Sequence, residues 1–259
     1  MRPSVTLPEI TAEFAYFQTR MQDGNKDYQL IRQHLDFASA RVLEVGCGSG
    51  GKAVFFSTLG CASVTGMDIH PDVALGPGFS ECIPGRGKIH FVQSDVEALP
   101  FPAEAFDLVL AHDVMEHLQR PEAALAEIQR VLAADGCLSV IMPHYYGLSG
   151  NHLWNYFGGR FWRYLHPHLI FPNPLLKRMV VSQGRKRGYS QRQIDEEWDQ
   201  YLALNRLPVR TLLAWIGEKF EFAHFTYRQG ALKPIVARVP QLAELFSYGI
   251  VLVARKKQA

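Results

Sequence analysis

The chain has 259 residues, 47% of them apolar, 20% charged and 12% aromatic, enough to bury a full core without staples; that balance excludes a disordered chain, a collagen and a coiled coil. Four cysteines (Cys47, Cys61, Cys82, Cys137), none in a CxxC pair, argue against a disulfide scaffold or a zinc cluster and suit a reducing, cytoplasmic compartment. The net charge of +2 conceals a sorting: no Asp or Glu falls between Asp135 and Asp195, where eight Lys or Arg stand, so the remainder of the chain is at −6.

In chain order, residues 1–40 predict a helical N-terminal cap, with Leu30, Ile31, His34 and Leu35 recurring at a helical period. Met1-Arg2-Pro3-Ser4 leads to Glu9 and Glu13 without the apolar core of a secretory signal. No uninterrupted apolar run reaches the ~18 residues of a membrane span. Residues 41–45 read as a strand, Gly46 to Gly51 as a tight loop, and a helix follows through Ser57. Further strands are expected at 64–68, 89–92 and 106–110. Residues 76–87, rich in Gly and Pro, read as an irregular loop.

Pro121 suits the first turn of a helix, whose buried stripe is Ala124, Leu125, Ile128, Val131 and Leu132. Gly136 ends that helix, and a fifth strand covers 137–142. The alternation of strand and helix predicts a doubly wound, mostly parallel sheet. The pattern then breaks: 143–205 are aromatic, basic and without clear period. A helix returns around Leu212, Leu213, Trp215 and Ile216, and 220–227 and 247–254 read as two late strands.

In a doubly wound sheet, ligands sit at the carboxyl ends of the strands, and the loop after the first strand is the natural cradle. Gly46, Gly48 and Gly51 satisfy the dinucleotide pattern GxGxxG, while Gly46, Gly48 and Gly50 satisfy GxGxG, so the glycines alone do not choose a ligand. The acids discriminate. Glu44, just before the loop, would repel a pyrophosphate and attract an ammonium group. Asp68 ends the second strand, where a carboxylate accepts both hydroxyls of a ribose. Asp95 follows the third, where a carboxylate can accept from an exocyclic amine. Three acids at three successive strand ends suit a cationic adenosine ligand without phosphates. The rival is a nicotinamide-dependent oxidoreductase using Gly46, Gly48 and Gly51; Glu44, Asp95 and the late strands speak against it. A non-catalytic module that holds the cofactor or a partner is a third reading.

The segment VLEVGCGSG at 42–50 resembles motif I of the class I S-adenosylmethionine-dependent methyltransferases. Gly66-Met67-Asp68-Ile69 is similar to the family's ribose-binding strand end, and SDVEALPF at 94–101 to its adenine-binding segment. Phe106-Asp107-Leu108-Val109 through Glu116-His117-Leu118, and Arg130-Val131-Leu132 with Asp135-Gly136, resemble the fourth-strand and pre-fifth-strand motifs. The subset that matches is the type 11 small-molecule methyltransferases. The resemblance implies a Rossmann-like, seven-stranded, mostly parallel sheet with a helical, aromatic and basic insertion after strand 5. The cofactor-binding core would be 41–142 with 206–259, and 143–205 an inserted acceptor-binding lid. S-adenosylmethionine would be the cofactor, and S-adenosylhomocysteine the product.

By that resemblance Glu44 would hold the methionine amino group, Gly46, Cys47 and Gly48 would give backbone contacts, and Asp68 would bind the ribose. Ile69 and Val96 would sandwich the adenine and Asp95 take its amine. The backbone at His112 and the Asp113 side would face the sulfonium, and Tyr16, Phe17 and Arg20 could close the site. Cys47 reads as a small residue whose backbone matters rather than as a nucleophile. His117 reads as packing at a helix start. The acceptor would be a small molecule, anionic or lipid- or quinone-like, aromatic or apolar in part. Tyr145, Tyr146, His152, Trp154 and Arg160 are its candidate contacts. The plainest alternative is a helical lid with an ordinary core and a solvated basic face. Residues 153–176 also suit peripheral membrane contact. Nucleic acid is not expected, because no added binding domain is visible. His144, directly after the fifth strand and so at the cleft edge, is the candidate base. No metal is expected, since no cluster shows ligand spacing. The sequence specifies neither the oligomeric state nor the acceptor atom.

Overall fold

A computed structural model describes residues 7–148, 152, 153, 156, 157, 165–229, 233, 238, 239 and 242–258. Strand β1 (Arg41–Val45) pairs in parallel with β2 (Ser63–Asp68) on one side and β4 (Phe106–His112) on the other. Strands β3 (Ile89–Gln93) and β5 (Leu132–Met142) extend the parallel sheet outward. The last strand, β7 (Ser247–Lys256), lies antiparallel between β5 and β6 (Phe220–Gln229). The order is therefore β3-β2-β1-β4-β5-β7-β6. The wholly parallel 3-2-1-4-5-6 order of dinucleotide-binding sheets lacks such a strand.

The central strands are near-continuous apolar runs because both of their faces are covered. Successive side chains of β1 point to opposite faces. Leu43 and Val45 pack with helix α4 (Pro121–Val131) and with Leu212 and Ile216 of a late helix. Val42 packs on the other face with Ile31 of α1 (Leu7–Ile31) and with Ala53 and Phe56 of α2 (Gly51–Ser57). By this alternation Glu44 shares the Val42 face and points toward α1 and α2.

Several boundaries differ from the sequence expectation. Helix α1 stops at Ile31, so His34 and Leu35 fall in the turn beyond it. Residues 76–81 form a helix, α3 (Gly76–Glu81), because Pro77 occupies its first turn, where no N–H is needed. Helix α4 ends at Val131 rather than at Gly136, and β5 begins at Leu132. Its register against β4 is broken between Phe106 and Leu108, so pairing becomes regular only from Cys137.

After β5 come α5 (Pro167–Ile170), α6 (Asn173–Lys186), α7 (Gln191–Ala203) and α8 (Val209–Lys219). Ser190 and Gln193 form a reciprocal capping box that starts α7. Tyr145, Tyr156, Phe157, Leu176, Ile194, Trp198 and Tyr201 form a core belonging to this region. Most of its described aromatic residues are thus used for packing. Among the described residues no helix is long and apolar enough to cross a membrane.

Candidate active site

The carboxyl ends of β1, β2 and β4 open onto a cleft of about 720 Å³. A second lobe of about 340 Å³ lies beside it at the β2 and β3 ends. The lobes share Gly46, Asp68, Asp113 and His117 as a common wall. Glu44 lines the first lobe, Asp95 the second and Asp68 both, so the three acids line two adjoining lobes.

The loop is shaped by its neighbours. Gly46 has φ +72°, and a Cβ there would meet Val114 Cγ2 at 2.6 Å. A Cβ on Gly51 would run into the backbone carbonyl of Phe17, because α1 crosses directly over the start of α2. That crossing delivers Tyr16 and Arg20 to the cleft. Asp68 clamps the loop: its carboxylate accepts the Gly48 N–H at 2.7 Å and the His70 N–H at 2.8 Å.

Glu44 is 2% exposed, and its Oε2 has no hydrogen-bond partner. Burial pushes its pKa up to about 8, against the pull of Lys52 and Arg20. Asp113 accepts from Arg20 Nη2 at 2.8 Å and from Lys52 Nζ at 3.0 Å. Against the upward push of burial, Lys52 and Arg20 hold Asp113 below the usual carboxylate range. Lys52 Nζ also pairs with Asp27 at 2.6 Å, and Asp27 with His112 Nδ1 at 3.3 Å. The chain of contacts ends where His112 Nε2 meets Ser139 Oγ at 2.9 Å.

Gly46, Cys47, Gly48 and Asp113 line the first lobe, and Ile69 and Val96 the second. Ile69 is 67% exposed at its mouth. Burial, Glu44 and Asp68 push the Cys47 thiol well above its ordinary pKa, which leaves no nucleophile there. The His112 ring does not reach the cleft. His144 is misplaced by the sequence reading: it is fully buried, its Nε2 lies 2.7 Å from Ser247 Oγ, and burial pushes its pKa down to about 4. Pro143, one residue earlier, occupies the cleft edge instead. Tyr145 is buried against Tyr201, with the hydroxyls 3.1 Å apart, and Tyr146 bonds the Arg206 carbonyl at 3.3 Å. Neither tyrosine lines the cleft. His152 does, whereas Trp154 and Arg160 lie outside the described residues. Phe17 is buried against Phe79 rather than closing the site.

His117, expected to pack at a helix start, lines both lobes. With Glu116 and His152 it forms a cluster of ligand-type atoms, contrary to the expectation that none would gather. Among the described residues, the wall from the inserted region is polar (His152, Glu197, Gln200) and not aromatic. Sequence reading also missed Lys52 and Asp27. A lysine inside the otherwise apolar α2 was the available signal, since a cation on such a helix needs buried anions nearby.

Residues 43–140 match the methyltransferase domain family. A probable phthiotriol/phenolphthiotriol dimycocerosates methyltransferase of Mycobacterium ulcerans is 38% identical over 115 residues, 42% of either chain. A fatty-acid O-methyltransferase of Mycolicibacterium smegmatis is 36% identical over 42% of this chain and 39% of its own. The chain thus spans about two fifths of the length of these relatives. An S-adenosylmethionine-dependent methyltransferase structure from Methanosarcina mazei superposes with a TM-score of 0.59 at 18% identity, covering 90% of this chain and 99% of that one. The [4+2]-cyclase SpnF superposes at 0.56 and 19% identity, over 91% and 81%. The fold is that of solved S-adenosylmethionine-dependent methyltransferases, and residues 43–140 match the methyltransferase domain family. S-adenosylmethionine is the cofactor of such domains. The residues present fit it: the unpartnered oxygen of Glu44 awaits a donor, and the exposed Ile69 awaits an apolar face.

Proposed function

We propose that the protein transfers a methyl group from S-adenosylmethionine to an oxygen-bearing, lipid-like or anionic small molecule. The observation that carries this reading is Glu44: a buried carboxyl with an unpartnered oxygen, under a glycine loop, in one cleft with Asp68, while Asp95 lines the adjoining lobe. Burial keeps this carboxyl largely protonated near pH 7 in the ligand-free protein, and a ligand ammonium beside the unpartnered oxygen favours its ionised form. A diphosphate would oppose that ionisation, which disfavours the nicotinamide reading.

In this assignment Glu44 takes the amino group, Asp68 the ribose hydroxyls, Asp95 the adenine amine, and Ile69 and Val96 the adenine faces. Gly46, Cys47 and Gly48 offer backbone groups. The cofactor supplies an activated methyl on a sulfonium, so the protein's task is alignment, which can supply roughly 7–11 kcal/mol of a barrier. Asp113, held ionised by Arg20 and Lys52, places a negative charge on the wall shared by the two lobes. The acceptor enters on the side of His152, Glu197, Gln200 and Arg228.

The similar proteins named for dimycocerosates and fatty acids support a lipid-like acceptor. Exposed Leu169, Ile170 and Leu175, next to Lys177, Arg178 and Arg185 of α6, support delivery from an anionic membrane surface. All four cysteines are free, which supports a cytoplasmic setting. Calorimetry with S-adenosylhomocysteine and with NAD tests the assignment. Micromolar or tighter binding of the first and none of the second is expected; the reverse would overturn it.

A further inference from the structure

We propose that Glu116, His117 and His152 form a binding site for one divalent transition-metal ion of the zinc, cobalt or manganese type, on the wall of the cleft. Glu116 and His117 sit on the 3₁₀ turn Met115–His117 that follows β4, and His152 comes from the region after β5. The donor atoms of all three lie within 4.8 Å of one another. His117 Nε2 is 3.9 Å from Glu116 Oε1, and the two imidazole rings stand 5.0 Å apart at 82°.

An independent observation points to a missing ligand. Glu116 is 1% exposed, it lines the cleft, and neither of its carboxylate oxygens has a hydrogen-bond partner. Buried carboxylates are ordinarily paired, hydrogen-bonded or bound to metal. His152 adopts φ +58°, a left-handed backbone that a non-glycine residue keeps only when its surroundings impose it. Gln200 lines the same wall of the cleft as His152.

The donor set selects the class of ion. Two imidazoles and one carboxylate suit borderline divalent ions, whereas calcium and magnesium prefer oxygen alone. Metal–ligand bonds of about 2.0–2.2 Å would draw the three donors closer than they stand, and side-chain rotation of about 1 Å accomplishes that. Three protein ligands leave a coordination position open, as in catalytic rather than structural sites. That position faces the cleft, where it would hold an oxygen of the acceptor. This last role rests on the methyl-transfer reading; the ion site itself does not.

The test uses the full chain stripped with EDTA and titrated with Co²⁺ alone, followed by absorption spectroscopy, with S-adenosylhomocysteine calorimetry run in parallel. One Co²⁺ per chain is expected, with ligand-field bands of imidazole–carboxylate coordination. His117→Ala and His152→Ala should each weaken it more than about tenfold, the upper bound of that loss being unconstrained by the ~10–100-fold seen for residues that merely support a ligand. Both variants should keep the fold, judged by circular dichroism. Glu116→Gln should weaken Co²⁺ similarly; if it fails to fold, the partly exposed His152 still decides the matter. No Co²⁺ uptake by the parent protein, or unchanged affinity in His152→Ala, would overturn the proposal. Tight Co²⁺ with no S-adenosylhomocysteine binding would instead retain the ion site and remove the methyl-transfer reading.

Discussion

Arg20 Nη2 stands 2.8 Å from Asp113 Oδ2, across 93 residues of chain. One contact thus joins the N-terminal helix to the end of β4 and makes α1 a wall of the cleft. Lys52 approaches the same carboxylate from α2, so Asp113 is held from two sides.

Lys52 is 3% exposed and serves both Asp27 and Asp113. Lys52→Met keeps the bulk but leaves buried Asp27 without its ammonium and Asp113 with Arg20 alone. Such breaks cost about 3–5 kcal/mol. Urea denaturation of the ligand-free protein should show a loss of that order, and a change under about 1 kcal/mol would mean that the pairing contributes little.

Glu44 should make cofactor binding a proton-releasing event. Its pKa is 4.5 as a free side chain and about 8 in the fold. An acid with a raised folded pKa favours the folded state fully below the lower value, and that contribution is lost as pH rises through the upper one. The ligand-free protein should therefore lose stability across that window. An incoming ammonium needs the carboxylate, so binding near pH 7 should release close to one proton. Calorimetry of S-adenosylhomocysteine in two buffers of different ionisation heat measures this. Identical heats for the parent protein, or undiminished release in Glu44→Gln, would count against it.

Gly51→Ala tests the crossing of α1 over α2. The new methyl would collide with the Phe17 backbone carbonyl, which has no flexible end to yield. Overpacking of this kind costs about 1–3 kcal/mol. Limited proteolysis should cut within α1 sooner than in the parent, and weaker cofactor binding should follow from the displaced Arg20. An unchanged digestion pattern would refute the argument.

His144→Ala should act on stability and leave the cofactor site alone. It removes one of two partners of the Ser247 hydroxyl, which still donates to the Glu244 carbonyl, and opens a void in the core, a loss of about 1–3 kcal/mol. Thermal unfolding should shift down while S-adenosylhomocysteine affinity holds. The opposite pattern would return His144 to the cleft.

The triple variant Lys177→Glu, Arg178→Glu, Arg185→Glu reverses the exposed basic face of α6. Each basic residue near an anionic membrane is worth about 1 kcal/mol. Sedimentation with phosphatidylserine vesicles should fall at least about tenfold, with neutral vesicles unaffected. Equal sedimentation of parent and variant would remove membrane delivery.

The part of the site that could be read from the sequence is the part made by short, local segments. Glu44, the loop glycines, Asp68 and Asp95 each stand at the end of a strand whose apolar run is visible. Tyr16 and Arg20 were named only through the resemblance, and Lys52 and His117 were not placed at the site at all, because their roles depend on partners 61 to 93 residues distant or on which side of a turn faces the cleft. His144 was misassigned because strand alternation places Pro143 at the opening and turns the next side chain inward. Within the insertion, expected to be helical only through the resemblance, the separate helices α5 to α7 could not be delimited for a related reason: their aromatic residues pack against one another, so no single stripe faces the main sheet.

Strand β7 sits between β5 and β6 although it comes after both in the chain. During synthesis on the ribosome, the parallel strands can assemble as they emerge. β5 and β6, however, have no shared neighbour until residues 247–256 are released from the exit tunnel. Insertion of that strand is therefore the step that joins β6 to the five-stranded sheet, and a nascent chain stalled before it would present the β5 edge and an unpaired β6 to chaperones.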